Sequence, residues 1–264
     1  MTLLTVERRG KVAVLTFNRP DARNFLGAPG DGDEVREACE KINRDGAIRC
    51  VVLTGAGSAF SAGGDVKAMQ ARSGAFAGDG MEIRDRYRTN IHLIVRAIYN
   101  LEVPSVAAVN GPAIGLGCDV ACMTDIRIAS EDARFGVTFL KLGLIPGDGG
   151  AWLLPRTIGM TRAAELLFTG KLIDAKTACE WGLVSRVVPK AELMDAALEL
   201  ADQIAEQPPH ALRLAKSLLK HGQSVSFDSL LEMSSTAQAI SHMTEDHAEG
   251  VNALLEKRRP KFAD

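Results

Sequence analysis

Asp119 stands three residues after Leu116 in the stretch Asn110-Gly-Pro-Ala-Ile-Gly-Leu-Gly-Cys-Asp119, where an apolar run at 106–109 breaks into a glycine-rich turn and a short apolar helix follows. Glycines at the mouth of a helix let a ligand come close to the backbone. The first helical turn offers unpaired N–H groups at the positive end of a dipole. Such donors can hold an oxygen on which negative charge develops. One turn of helix brings the Asp119 carboxylate to the face that carries Leu116. A main-chain donor and a carboxylate on one buried face outline a site that forms and protonates an enolate. The same residues also suit a tightly packed turn with Asp119 as a dipole partner, and this stretch alone leaves both open.

Two further glycine-rich turns follow the same logic. An apolar strand at 50–54 runs into Gly55-Ala-Gly57 and then Phe60-Ser-Ala-Gly-Gly-Asp-Val66. Later, Ile145-Pro-Gly-Asp-Gly-Gly150 places Asp148 before a helix around Trp152, as an acid–base group or as the cap of that helix. Other chemistries lack their residues. The third glycine of a dinucleotide fingerprint is Phe60, and Tyr87 and Tyr99 are followed four positions on by Ile91 and Val103, not Lys. Ser61 lacks the first glycine of a nucleophile elbow. No Gly-Lys-Ser/Thr phosphate cradle occurs, and none of His92, His210, His221, His242 and His247 sits in a glycine-rich loop. Cys39, Cys50, Cys118, Cys122 and Cys179 are odd in number and scattered through apolar segments, which predicts reduced, buried thiols and no metal site.

The elements that must position these turns can be read from periodicity. Residues 3–7 and 12–17 predict a hairpin in which Val12, Val14 and Thr16 alternate with Ala13, Leu15 and Phe17. A helix at 35–42, strands at 50–54, 106–109, 126–129 and 183–188, and a long helix at 83–99 follow, with loops at 27–33 and 71–81, the latter mobile by composition. The repeated order of strand, glycine loop and helix predicts an α/β layered core. From residue 191 onward only helices are expected, so a soft boundary falls near 200: a core over 1–200 with the active site, and a helical oligomerisation region over 201–264. With 46% hydrophobic and 24% charged residues over 264 positions, the chain reads as soluble and globular. A net charge of -2 argues against a nucleic-acid or anionic-membrane partner. No apolar run reaches membrane-spanning length and no signal peptide is visible, so a cytoplasmic location is expected.

Taken together, Phe60-Ser-Ala-Gly-Gly-Asp-Val-Lys-Ala-Met69, Asn110 to Asp119 and Gly143-Leu-Ile-Pro-Gly-Asp-Gly-Gly150 resemble the signature blocks of the enoyl-CoA hydratase/isomerase (crotonase) family. Asn18-Arg-Pro-Asp-Ala-Arg-Asn24, the segment from Gly170 to Ser185 and Glu256 to Phe262 match its pattern as well, so the resemblance runs through nearly the whole chain. It implies a ClpP-like spiral of β-β-α repeats with a C-terminal helical region that builds homotrimers or homohexamers. An acyl-CoA thioester is the implied substrate, with no metal or separate cofactor. The family's two oxyanion N–H groups map onto Gly64 and Leu116, beside Gly63 and Gly115, and its first carboxylate onto Asp119. The second hydratase carboxylate maps onto Phe139, which cannot move protons. A catalytic Asp of some family isomerases maps onto Gly147, one place before Asp148. By the same resemblance Arg23, Ala62, Asp65 and Val66 approach the coenzyme, with Arg258, Arg259 and Lys261 as phosphate candidates. The implied activity is hydration of a 2-enoyl thioester or double-bond isomerisation through an enolate. A non-catalytic acyl-CoA binder and another single-base reaction are the alternatives.

Overall fold

The computed structural model describes residues 2–263. Strands β1 (Leu4–Arg9) and β2 (Val12–Phe17) pair antiparallel across Gly10, whose φ of +60° suits a residue without a Cβ. Strands β3 (Cys50–Gly55) and β4 (Ser105–Val109) extend this sheet, the short β5 (Ala113–Ile114) leaves it, and β6 (Ile126–Ser130) returns to it. Strands β7 (Arg134–Gly136) and β8 (Ile173–Asp174) join β5 in a second, three-stranded sheet, and β9 (Arg186–Val188) closes the first. The large sheet runs β1-β2-β3-β4-β6-β9 and is parallel from β2 onward.

Alternation along the strands feeds two cores. Ala13, Leu15 and Phe17 of β2, Val51 and Leu53 of β3, and Ala107 and Val109 of β4 pack on one face. Val12, Val14, Cys50, Val52, Val106 and Ala108 pack on the other. Each fully buried aliphatic side chain contributes on the order of 1.5–3 kcal/mol. The first face is covered by α1 (Asp31–Arg44) and, after α2 (Val66–Ala71) and α3 (Gly80–Arg86), by α4 (His92–Tyr99) and α5 (Leu116–Met123). Helices α6 (Gly150–Ile158), α7 (Met160–Thr169) and α8 (Ala175–Glu180) continue that layer. Helix α9 (Leu193–Ala205) covers the second face through Leu193, Ala197, Ala201 and Ala205, a four-residue repeat whose small side chains permit close approach to the strands.

Helices α10 (Pro209–His221), α11 (Phe227–His242) and α12 (Glu245–Leu255) complete the chain. The Lys216 ammonium anchors α10 by donating to the Asp125 carboxylate at 2.7 Å and the Val103 carbonyl at 2.7 Å. Among the described residues no helix is long and apolar enough to cross a membrane.

Several boundaries differ from the sequence expectation. Residue 200, the expected limit of the core, lies inside α9, which packs directly on the sheet. The expected loop at 27–33 ends early because Asp31 starts α1; its buried carboxylate accepts from the Gly27 and Ala28 N–H groups and is clamped by both Arg19 amino groups, at 2.8 and 2.6 Å. Residues 71–81 contain a 3-10 turn (Gly74–Phe76) and a capping box in which Asp79 and Glu82 satisfy each other's backbone N–H groups. The helix expected over 83–99 is interrupted by a π-helical turn at Tyr87–Ile91. There the Asn90 side chain donates to the Gly27 and Ala28 carbonyls and accepts from the Gly32 N–H, so the extra residue sits where α1 presses against this segment. The strand expected at 183–188 is confined to β9, Arg186–Val188.

Candidate active site

Residues 60–64 lie between the segment 23–26 and the segment 112–114. Ser61 bridges Ala113, and the Ile114 N–H donates to the Ser61 carbonyl at 2.9 Å. On the other side Gly64 bridges Leu26, and the Leu26 N–H donates to the Gly63 carbonyl at 2.8 Å. Asn24, fully buried, donates to the Ala56 and Ala59 carbonyls, while the Ser61 hydroxyl donates to the Asn24 carbonyl and accepts from the Gly63 N–H. Two glycines make this closeness possible. A Cβ on Gly63, whose φ is +83°, would meet the Ile114 carbonyl oxygen at 2.4 Å and the Leu116 nitrogen at 3.2 Å. One on Gly117 would meet the Ser61 carbonyl oxygen at 2.3 Å.

Leu116 is the first residue of α5 and follows Gly115, which has φ +54° and ψ -124°. Counting from the Ser61–Ala113 bridge, Gly64 and Leu116 are each three residues further on, in parallel segments. Among the described residues no main-chain hydrogen bond uses either of their N–H groups. The loops therefore present two free amides beside each other, one of them at a helix start. Phe139 packs over this point, its ring 3.7 Å from where a Gly115 Cβ would be.

Two carboxylates lie deeper. Asp119 is completely buried in α5; its Oδ2 accepts from the Gly150 N–H at 3.1 Å, while Oδ1 has no partner. Burial pushes its pKa well above the ordinary carboxylate range, and repulsion from Cys122 and Asp148 adds to this. The Gly150 hydrogen bond opposes the shift without cancelling it. A Cβ on Gly150 would collide with Asp119 Oδ1 at 2.2 Å, so a glycine is needed where α6 begins. Asp148 is also buried, its Oδ1 is likewise unpartnered, and burial raises its pKa to about 6. The capping role open to Asp148 in sequence is not taken: the N-cap of α6 is Gly149, and no side chain caps it. No ion pair reaches either carboxylate among the described residues.

The other expected residues divide. Ala62 lies in the loop itself, its N–H donating to the carbonyl of Arg23, which stands in the left-handed region at φ +52°. Asp65 caps α2 by accepting from the Lys67 and Ala68 N–H groups, and Val66 is exposed at the head of that helix. Arg258 pairs with Glu249, at 2.6 and 2.8 Å, and with Glu256 at 2.6 Å. Tyr87 and His92 were not singled out in sequence for this site. The His92 Nε2 lies 3.1 Å from the Gly147 carbonyl oxygen, and its ring meets Tyr87 edge-on at 5.9 Å. The Tyr87 hydroxyl is pushed up to about 12 by burial and by the nearby Asp148 charge. Their only sequence signal was four-to-five-residue spacing within an amphipathic helix. Among the described residues no group of three or more His, Cys, Asp or Glu could hold a metal ion.

Two free main-chain amides and two buried carboxylates thus come from neighbouring segments of a β-β-α framework. The enoyl-CoA hydratase/isomerase family profile matches residues 7–264, and the chain belongs to that family. It is 38% identical to the 1,2-epoxyphenylacetyl-CoA isomerase of Escherichia coli over 95% of this chain and 94% of that protein. It is also 38% identical to the short-chain-enoyl-CoA hydratase of Clostridium acetobutylicum, over 96% and 95%. The crystal structure of the enoyl-CoA hydratase from Bacillus anthracis superposes with a TM-score of 0.91 at 36% identity, covering 98% of both chains. Pseudomonas aeruginosa DspI gives 0.92 at 34%, covering 100% of this chain and 97% of its own. The fold is the crotonase fold, and the chain is an enzyme of the hydratase/isomerase type.

Proposed function

We propose that this enzyme moves a double bond within an enoyl-CoA thioester by proton transfer between carbons, with the Gly64 and Leu116 N–H groups holding the thioester oxygen. The observation that carries this is the pair Asp119 and Asp148, both buried without a cation, each with an unpartnered oxygen, and each raised in pKa by burial. Burial raises Asp148 to about 6 and lifts Asp119 well above the ordinary carboxylate range, so both carboxyls suit proton transfer; we assign Asp148 as the base and Asp119 as the acid. Asp148 takes a proton from the α carbon, and the resulting charge spreads to the thioester oxygen. Asp119 returns a proton at the γ carbon, and the double bond settles between α and β. Proton exchange between the two neighbouring carboxyls resets the site. Each amide donor contributes on the order of 10²–10³ in rate.

Hydration is the second reading, favoured by the names of the hydratase relatives. It needs a second acid where Phe139 stands. The non-catalytic binder is not favoured, since buried unpaired carboxylates burden the fold without helping it bind. Arg23, Ala62, Asp65 and Val66 are proposed along the coenzyme's path. Exposed Leu219, Phe227, Met243, Leu254 and Leu255 on and between α10, α11 and α12 support assembly into a trimer or hexamer through that region.

The test is product mass and position after incubation with 3-enoyl-CoA and 2-enoyl-CoA in deuterated water. A positional isomer bearing deuterium supports the proposal; addition of one water as the main product overturns it in favour of hydration. Asp119→Asn is expected to lower kcat by about 10²–10⁴. Undiminished turnover would remove Asp119 from its role.

A further inference from the structure

The structure points to an anion-recognising subsite beside Asp148, and we infer that the acyl group processed here ends in a carboxylate. The inference rests on the proposed function, in which Asp119 and Asp148 act on the acyl group. A cavity of about 550 Å³ opens between the α3–α4 segment and the turn at 144–147. Gly147, the residue before Asp148, lines it, with the Tyr87 ring 3.9 Å from where a Gly147 Cβ would stand. Leu144 and Ile145 give it an apolar wall, and both are exposed.

The opposite wall is cationic. Arg84, Arg88, His92 and Arg96 recur at four-residue spacing and all line the cavity, while no acidic residue does. Asp85 pairs with Arg84 at 3.3 Å, an exposed contact that contributes little. The side chains of Arg88 and Arg96 have no hydrogen bond or ion pair among the described residues. Arg84 and Arg88, four residues apart, carry like charges on the cavity wall. An anion seated among Arg84, Arg88 and Arg96 would offset the repulsion between them. Guanidinium forks match a carboxylate in shape as well as charge. Hydrocarbon between Asp148 and the rim would lie against Leu144 and Ile145, leaving a terminal carboxylate among the arginines. The coenzyme's own phosphates offer the same anionic chemistry, so the experiment must separate the two sources.

Titration calorimetry compares a 2-enoyl-CoA with a terminal carboxylate, its methyl ester and free CoA, on wild type and on Arg88→Gln/Arg96→Gln. The wild type is expected to bind the acid about tenfold more tightly than the ester, as suits charge-assisted hydrogen bonds at an exposed rim. That ratio should fall towards unity in the double variant and shrink as salt is raised. Equal affinity for acid and ester in the wild type, or a preference that survives the double variant, overturns the subsite. Weakened free CoA binding in the double variant by the same factor assigns the arginines to phosphate and also overturns it. Failure of the wild type to bind any of the three compounds would overturn the acyl-CoA reading itself, whereas turnover of both thioesters without preference overturns only the subsite.

Discussion

Replacing Asp148 with Asn is expected to stabilise the fold at high pH relative to low pH while impairing turnover. Burial raises the Asp148 carboxyl from an ordinary 3.8 to about 6. Between those values the native state holds the proton more tightly than the unfolded chain does. Wild-type stability therefore falls as pH rises through that window and levels off above it. A gap of about two pKa units corresponds to about 3 kcal/mol. An asparagine escapes this loss, although its NH₂ group can leave a buried donor unsatisfied, a pH-independent penalty of about 1–3 kcal/mol. The quantity to read is thus the change in the variant's advantage between pH 4 and pH 8, about 3 kcal/mol or about 5–10 °C in Tm. Relief of Asp119 from its charged neighbour acts in the same direction. Urea or thermal denaturation of both proteins across that range measures it, alongside kcat, which should fall about 10²-fold or more. Parallel stability curves for the two proteins would show that Asp148 carries no buried, uncompensated charge, and would refute the acid–base assignment built on it.

Leu116→Pro removes the amide donor at a first-turn position that tolerates proline, and kcat should drop by about 10²–10³. Leu116→Met keeps the N–H and should lose less than tenfold, a gap in stability below about 1.5 kcal/mol being typical of such a swap. Equal losses in the two variants would dissociate catalysis from that amide. Sedimentation at micromolar concentration is expected to show an assembly of three or six chains; only monomer would count against association through α10–α12.

Much of the architecture was legible because local pattern and tertiary demand agreed. The period-two alternation in 12–17 sends Val12 and Val14 to one core and Ala13, Leu15 and Phe17 to the other. The glycine turns before Asp65 and Asp119 were legible for a similar reason, since residues without a Cβ mark places where two backbones touch. The π turn at Tyr87–Ile91 was not legible, because it is imposed by α1 pressing on Asn90 and leaves the amphipathic pattern intact. The capping box of Asp79 and Glu82 was present in the sequence but hidden by the glycines and alanines before it. Asp148 remained open in sequence because both of its possible roles require the same residue at the same turn. The structure shows no cap hydrogen bond from Asp148 and buries its side chain, which supports the acid–base reading.

The placement of the two amides has a consequence for how such a protein can diversify. Their separation is set by strand-like pairing of peptide groups across Ser61 and Ala113, so the side chain carried at position 116 is incidental to the donor it accompanies. Residues such as Arg88 or Phe139 can then be exchanged without disturbing the two amides proposed to receive the oxygen. A laboratory seeking a new specificity should randomise the rim and leave the two glycine turns alone.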